Sequence, residues 1–266
     1  MSSTVDSCML IVGGGRMGEA LLSGLLRAGR PASDLVVAEV FGPRREQLAA
    51  AHPDVPIVDA VVAAASAVIA VKPGDVPGVA RAVAGAGARR VLSVAAGVTT
   101  QSIEAAAGRP LAVVRAMPNT PALIGAGAAA ISPGSAADED DLRWAEEVLG
   151  AVGVVVRVPE AALDAVTGLS GSGPAYVFLV AEAMIEAGVL AGLPREVAAT
   201  LTMHTLLGSS RLLTDGGATP AELRAAVTSP GGTTAAGLRE LERRGVRAAF
   251  LDAVAAAAER SRELGR

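Results

Sequence analysis

Up to Pro159 the chain alternates short apolar runs with amphipathic stretches; beyond it the short runs disappear. Residues 9–12, 34–38, 68–71, 91–94 and 111–114 are runs too short for helices, and they read as strands. The stretches after the first, third and fourth of these, ending at Ala28 and covering 75–84 and 99–107, carry helical periodicity. Residues 126–131 and 154–158 add edge strands around a helix over 138–149. Strand and helix in regular alternation predict an α/β fold with a parallel, doubly wound sheet. From residue 160 onward the pattern is helical, over 161–169, 175–191, 195–213, 220–227, 233–243 and 246–263. The expected organisation is a sheet-bearing domain over 1–159 and an all-α domain over 160–266.

The first strand runs into Gly13-Gly14-Gly15-Arg16-Met17-Gly18, which fits G-x-G-x-x-G between a strand and a helix. Gly13 suits the tight turn, Gly15 a close approach of backbone to pyrophosphate, and Gly18 close packing of the helix. A second strand follows and ends at Glu39, about 20 residues on, where an acid can hold a ribose hydroxyl. Strand, helix, strand and acid together predict a Rossmann-type dinucleotide site; a purely structural glycine turn is the weaker reading. Ligands of such sheets sit beyond the carboxyl ends of the strands. Those ends carry Ala70-Val71-Lys72-Pro73, Ala95-Ala96-Gly97 and Met117-Pro118-Asn119-Thr120-Pro121. Lys72 is the single lysine of the chain. It reads equally as a cofactor or substrate contact and as an exposed loop residue. Small side chains at 95–97 leave room for a flat ring.

The 266 residues are 51% hydrophobic but only 2% aromatic, so the core must be built from Ala, Val and Leu. A net charge of −4 with scattered arginines leaves no basic footprint for nucleic acid. One cysteine, Cys8, rules out a disulfide framework, and no metal-ligand spacing is present. The acidic run Asp138-Glu139-Asp140-Asp141 suits a helix start. Residues 1–7 lack a leader pattern and the apolar run 60–71 is short, so a cytoplasmic protein without a membrane span is expected. The helices of the second half are apolar on most faces, which predicts a homo-oligomer assembled through them.

Two glycine-rich loops interrupt those helices. Gly168-Leu169-Ser170-Gly171-Ser172-Gly173 resembles a serine-nucleophile elbow, but Ser172 stands where G-x-S-x-G requires glycine. The two histidines, His52 and His204, carry no recognisable catalytic partner. The second loop is Thr228-Ser229-Pro230-Gly231-Gly232-Thr233-Thr234. It feeds a helix start, with Thr233 or Thr234 expected as its cap, and reads either as a plain cap or as an anion seat.

A dinucleotide domain joined to a helical domain implies hydride transfer. The helical half has no lysine and one tyrosine, Tyr176, so acid–base groups for alcohol oxidation are scarce. A protonated C=N bond is already an electrophile and needs only an orienting hydroxyl and a carboxylate seat. The second loop offers both.

That loop, with Leu223-Arg224 before it and Phe250 after it, resembles the signature of pyrroline-5-carboxylate reductases. The resemblance extends to residues 70–73, 95–97, Arg115-Ala116-Met117-Pro118-Asn119-Thr120-Pro121 and 168–176, and so to nearly the whole chain in order. It implies reduction of 1-pyrroline-5-carboxylate to L-proline with NADPH or NADH, the last step of proline biosynthesis. It also implies a C-terminal dimerisation domain, with larger assemblies common. The hydroxyl beside the imine nitrogen falls on Thr234, and the carboxylate seat on Ser229, Gly232, Thr233 and Thr234. The diphosphate falls on Gly13, Gly14, Gly15, Arg16, Met17 and Gly18, and the nicotinamide side on Val71 to Pro73 and Ala95 to Gly97. Two departures stand out. Arg16 replaces the family's usual asparagine, and Glu39-Val40 replaces the polar residue and arginine that suit a 2′-phosphate. Glu39 favours NADH, whereas Arg44 and Arg45, one turn on, could serve NADPH, so the cofactor stays open at this point. Reduction of another cyclic imino acid, or a non-catalytic dinucleotide-binding regulatory role, are the competing expectations.

Overall fold

The computed structural model describes residues 8–265. The reading of residues 1–7 lies outside that range. The described chain forms two compact units, one running to Ser172 and resuming at Ala255, the other Gly173–Val254.

The first unit is built on an eight-stranded sheet in the order β3-β2-β1-β4-β5-β6-β7-β8. The strands are β1 (Met9–Val12), β2 (Leu35–Ala38), β3 (Ile57–Val58), β4 (Ser66–Ile69), β5 (Arg90–Ser93), β6 (Ala112–Met117), β7 (Gly127–Pro133) and β8 (Gly153–Arg157). The first six are parallel and follow the doubly wound order 3-2-1-4-5-6. β7 runs antiparallel to β6, with Arg115 opposite Ser132, and β8 is parallel to β7. The parallel strands read as unbroken apolar runs because both faces of the sheet are covered. Along β1, Met9 and Ile11 enter one buried cluster while Leu10 and Val12 enter another, as a period of two demands.

Helices α1 (Arg16–Arg27), α2 (Gly42–Ala51), α3 (Val76–Gly85), α4 (Thr100–Ala107) and α5 (Glu139–Gly150) connect the strands. α5 starts with the acidic run, and Asp138 with Asp141 closes a capping box. Trp144 of α5 lies buried in the first cluster, with the Arg90 guanidinium 4.7 Å from its ring centroid.

Three local differences from the sequence expectation have physical causes. The strand expected over 68–71 lies two residues earlier, because Lys72 takes the extended conformation preferred before Pro73 and the chain turns into a 3₁₀ segment there. α2 and β3 were not expected: α2 buries only Leu48, so it has no apolar stripe to read. The loop expected from Leu169 is instead helical. A short helix Leu163–Val166, α6, continues as a π-turn over Thr167–Gly171, with the Ser172 amide on the Thr167 carbonyl at 2.8 Å.

The second unit contains α7 (Gly173–Leu190), α8 (Arg195–Asp215), α9 (Pro220–Ala226), α10 (Thr233–Arg243) and the first part of α11 (Val246–Leu264). α7 and α8 pack closely: a Cβ added at Gly188 would stand 3.0 Å from the Ala198 methyl. Within this unit only Ala198 and Thr202 are buried among the described residues. Phe178, Leu179, Leu201, Leu212 and Leu251 are all exposed. By length and composition, residues 160–190 are long and apolar enough to cross a membrane, with mean hydropathy 1.4 over an 18-residue window. The expectation of a protein without a membrane span was drawn from the run 60–71, and this stretch lies elsewhere.

Candidate active site

The carboxyl ends of β1, β2 and β4 open onto a cavity of about 600 Å³ in the first unit. Gly13, Gly15, Glu39, Ala70, Val71 and Lys72 line it, so six of the expected cofactor residues are brought together. Gly13 has φ +102°, and a Cβ there would meet the Ala70 carbonyl oxygen at 2.5 Å. Only glycine fits. Gly18 is equally constrained, since a Cβ would fall 1.9 Å from the Gly13 carbonyl oxygen. At Gly15 the added Cβ meets nothing within 4 Å, which leaves the backbone open to a ligand. Gly15 is also the N-cap of α1, with no side-chain cap. The first helix-type bond runs from the Glu19 amide to Gly15, so the amides of Arg16, Met17 and Gly18 lie ahead of it at the positive end of the helix. The Met17 side chain packs against the core and Arg16 is exposed.

Apart from Asp59 and Asp75, the remaining walls are apolar, with Ala38, Val40, Ala60, Val61 and Val79 among them and Val40 85% exposed. A phosphate seat beside an apolar slot suits a dinucleotide, so the residues fit the expected cofactor. Pro73, Ala95, Ala96 and Gly97 lie outside this lining. Gly97 borders a separate cavity of about 220 Å³ with Thr99, Arg115, Asp164 and Ser261.

Sequence reasoning missed Asp59 and Asp75, which also line the dinucleotide cavity. Both follow carboxyl ends of strands, the signal that could have found them. It also missed what holds Glu39. Its Oε2 accepts from the Gly14 amide at 2.8 Å and its Oε1 from the Phe41 amide at 2.8 Å. Arg44 donates to the Gly14 carbonyl at 2.7 Å and pairs with Glu19 at 2.5 Å. Arg45 donates to the carbonyls of Glu39 and Val40.

A second network underlies the β6 end. Buried Arg115 donates to Glu160 at 3.1 Å, and Glu160 also accepts from the amide and hydroxyl of Thr100 at the start of α4. Burial pushes the Glu160 carboxyl up, but the Thr100 bonds and Arg115 outweigh it and hold it below the usual carboxylate range. Asn119 bridges two backbones, donating to the Ser170 carbonyl at 3.1 Å and accepting from the Ala128 amide at 2.9 Å. That ties the Pro118–Thr120 turn to the π-turn. Among the described residues no three His, Cys, Asp or Glu side chains form a group able to hold a metal.

The second unit holds Ser229, Gly232, Thr233 and Thr234 together on one turn. Gly231 has φ +70°, and the Gly232 amide closes on the Ser229 carbonyl at 3.0 Å. The expected threonine cap is corrected: Gly232 is the N-cap of α10, and neither threonine caps it. Gly232 supplies the extended residue itself, which moves Thr233 and Thr234 inside the first turn. The first helix-type bond runs from the Ala236 amide to Gly232 at 3.1 Å. The amides of Thr233, Thr234 and Ala235 precede it, which is the arrangement of an anion seat.

Two family models match the chain. Residues 160–264 match "Pyrroline-5-carboxylate reductase dimerisation", and residues 9–97 match "NADP oxidoreductase coenzyme F420-dependent". The membrane-length stretch 160–190 falls inside the first match. A pyrroline-5-carboxylate reductase of Mycobacterium tuberculosis is 47% identical, with 96% of this chain and 95% of that one covered. One from Synechocystis is 45% identical over 96% and 97% of the two chains. The solved reductase of Coxiella burnetii superposes with a TM-score of 0.91 at 34% identity, covering 97% and 98%. That of Plasmodium falciparum, with NADP bound, gives 0.83 at 27% identity over the same shares. Matched over 96% of its length by a relative 47% identical to it, and over residues 160–264 by the dimerisation model, the chain belongs to the pyrroline-5-carboxylate reductase family.

Proposed function

We propose that this protein reduces 1-pyrroline-5-carboxylate to L-proline with NADPH or NADH, the final step of proline biosynthesis. The observation that carries the reading is the presence of two separate anion seats, one at the start of α1 and one at the start of α10. The first accounts for a dinucleotide's diphosphate, which leaves the second for a substrate carboxylate. The reduced nicotinamide supplies the hydride. The amides following Gly232 and the Ser229 hydroxyl hold the carboxylate, and the Thr234 hydroxyl orients the ring nitrogen. The imine arrives protonated, so the chain needs no strong acid. Lys72, Ala95, Ala96 and Gly97 form the nicotinamide side in this reading, with Val71 and Pro73.

Residues 1–159 act as the dinucleotide domain and 160–266 as the helical dimerisation and substrate domain. The enzyme works in the cytoplasm as a homodimer or a larger homo-oligomer. The apolar stretch 160–190 serves assembly, in keeping with its place in the dimerisation match.

The test is direct. Purified protein is mixed with 1-pyrroline-5-carboxylate and either reduced cofactor, and cofactor oxidation and L-proline are measured. L-proline formed in step with cofactor oxidation is expected; no L-proline with either cofactor overturns the reading.

A further inference from the structure

We infer that the cofactor cleft is selective for NADH, and that Glu39 is the residue that sets this choice. The inference rests on the dinucleotide reading above and concerns the ribose end of that site. The Glu39 carboxylate stands at the end of β2 on the cavity wall, between Ala38 and Val40. Two backbone amides fix it, Gly14 on one oxygen and Phe41 on the other, both at 2.8 Å. Each oxygen keeps a further lone pair, so the group can accept from the two hydroxyls of an unmodified ribose. A 2′-phosphate would bring about two negative charges to the same place.

The surroundings do not offset that repulsion. Asp59 and Asp75 line the same cavity, so three carboxylates share it with one cation, Lys72. Arg44 and Arg45 are the arginines placed to serve a phosphate, and both are engaged. Arg44 is bound to Glu19 and the Gly14 carbonyl, and Arg45 to the carbonyls of Glu39 and Val40. Swinging Arg45 outward would give up both of those bonds and still leave Glu39 in place. The carboxylate cannot simply rotate away either, since both amides at its oxygens would lose their acceptor.

The experiment measures binding without turnover. Dissociation constants of NADH and NADPH for the full chain are obtained by calorimetry, with 5′-AMP and 2′-AMP as adenosine-end probes. NADH is expected to bind roughly tenfold tighter or more, and 5′-AMP tighter than 2′-AMP. Glu39→Gln removes the charge and keeps one amide acceptor; it should narrow the gap chiefly by improving NADPH. Should that variant fold poorly, Asp59→Asn reduces the same negative field without touching the turn and should narrow the gap by a smaller factor. Equal or tighter binding of NADPH by the wild type overturns the inference while leaving the dinucleotide site standing. A Glu39→Gln variant that folds and keeps the full gap removes Glu39 as its cause. Failure of both dinucleotides to bind overturns the parent reading instead.

Discussion

The two units solve the problem of burying helices in opposite ways. The first wraps α1 to α5 around a sheet and gathers two clusters of fully buried side chains. The second packs helix on helix and buries only Ala198 and Thr202 among the described residues. α7 has no buried residue at all although it is the most apolar helix of the chain. Chain ordering costs about 1–2 kcal/mol per residue, and burial of apolar surface is what offsets it. A unit with no core of its own therefore depends on a second copy for its order, whereas the first does not. The difference carries over to the sites. The glycine turn at Gly13 to Gly18 is fixed by strand ends, whereas the proposed seat at Gly232 lies in the unit without a core of its own.

The most severe way to break this contrast is to charge the exposed face of α7. Phe178→Glu with Leu179→Glu should dissociate the oligomer and lower turnover by roughly 100-fold or more, because the helical unit loses the burial that orders it. NADH binding to the first unit should survive. Light scattering after size exclusion, paired with NADH titration, checks both; an oligomer that persists at full activity would remove the dependence. Gly18→Ala attacks the other side. The added methyl cannot fit 1.9 Å from the Gly13 carbonyl oxygen. It should cost about 2–3 kcal/mol in stability and weaken NADH binding more than tenfold, with the oligomer intact. Thermal melts and calorimetry read the outcome.

Thr234→Ala sharpens the contrast at the second seat. It should lower kcat by roughly 10- to 100-fold while the NADH dissociation constant stays unchanged, as loss of one oriented hydrogen bond predicts. Wild-type turnover would take Thr234 out of the mechanism. The smallest effect is expected at Glu160. Its folded-state pKa lies below the ordinary value. Its ionised form is therefore bound more favourably in the folded state than in the unfolded one. Its contribution is fully present above the unfolded value of about 4.3, and is lost as pH falls through the lower folded value. Glu160→Gln should cost about 1–2 kcal/mol at neutral pH, and the gap to the wild type should close in acid. Urea melts across that range test the sign.

Legibility in the sequence followed the same division. Parallel strands buried on both faces leave unbroken apolar runs, and a turn that only glycine can make leaves Gly13 and Gly18, so most of the sheet and the glycine turn could be read, but not β3 or the cleft residues Asp59 and Asp75. α2 could not, because its one buried side chain, Leu48, gives no period. The double duty of Glu39 was only half visible: its spacing marked a ribose contact, but nothing local announces that it also fastens Gly14 and Phe41. The bond from Arg115 to Glu160 spans 45 positions and carries no motif. Beyond residue 160 the two glycine-rich loops were read as breaks, yet hydroxyls of Thr167 and Ser170 turned back to carbonyls four residues earlier accompany a wider helical turn at the first. At the second, Gly232 displaced the threonines from the cap.

The chain has one tryptophan and one tyrosine, and they fall on opposite sides of the division. Trp144 sits in the core of the sheet-bearing unit beside Arg90, and Tyr176 on α7 of the helical one. Indole emission, excited selectively, therefore reports on one half of the molecule without contribution from the other. Loss of the helical assembly and melting of the sheet can be followed as two optical signals in a single unlabelled sample.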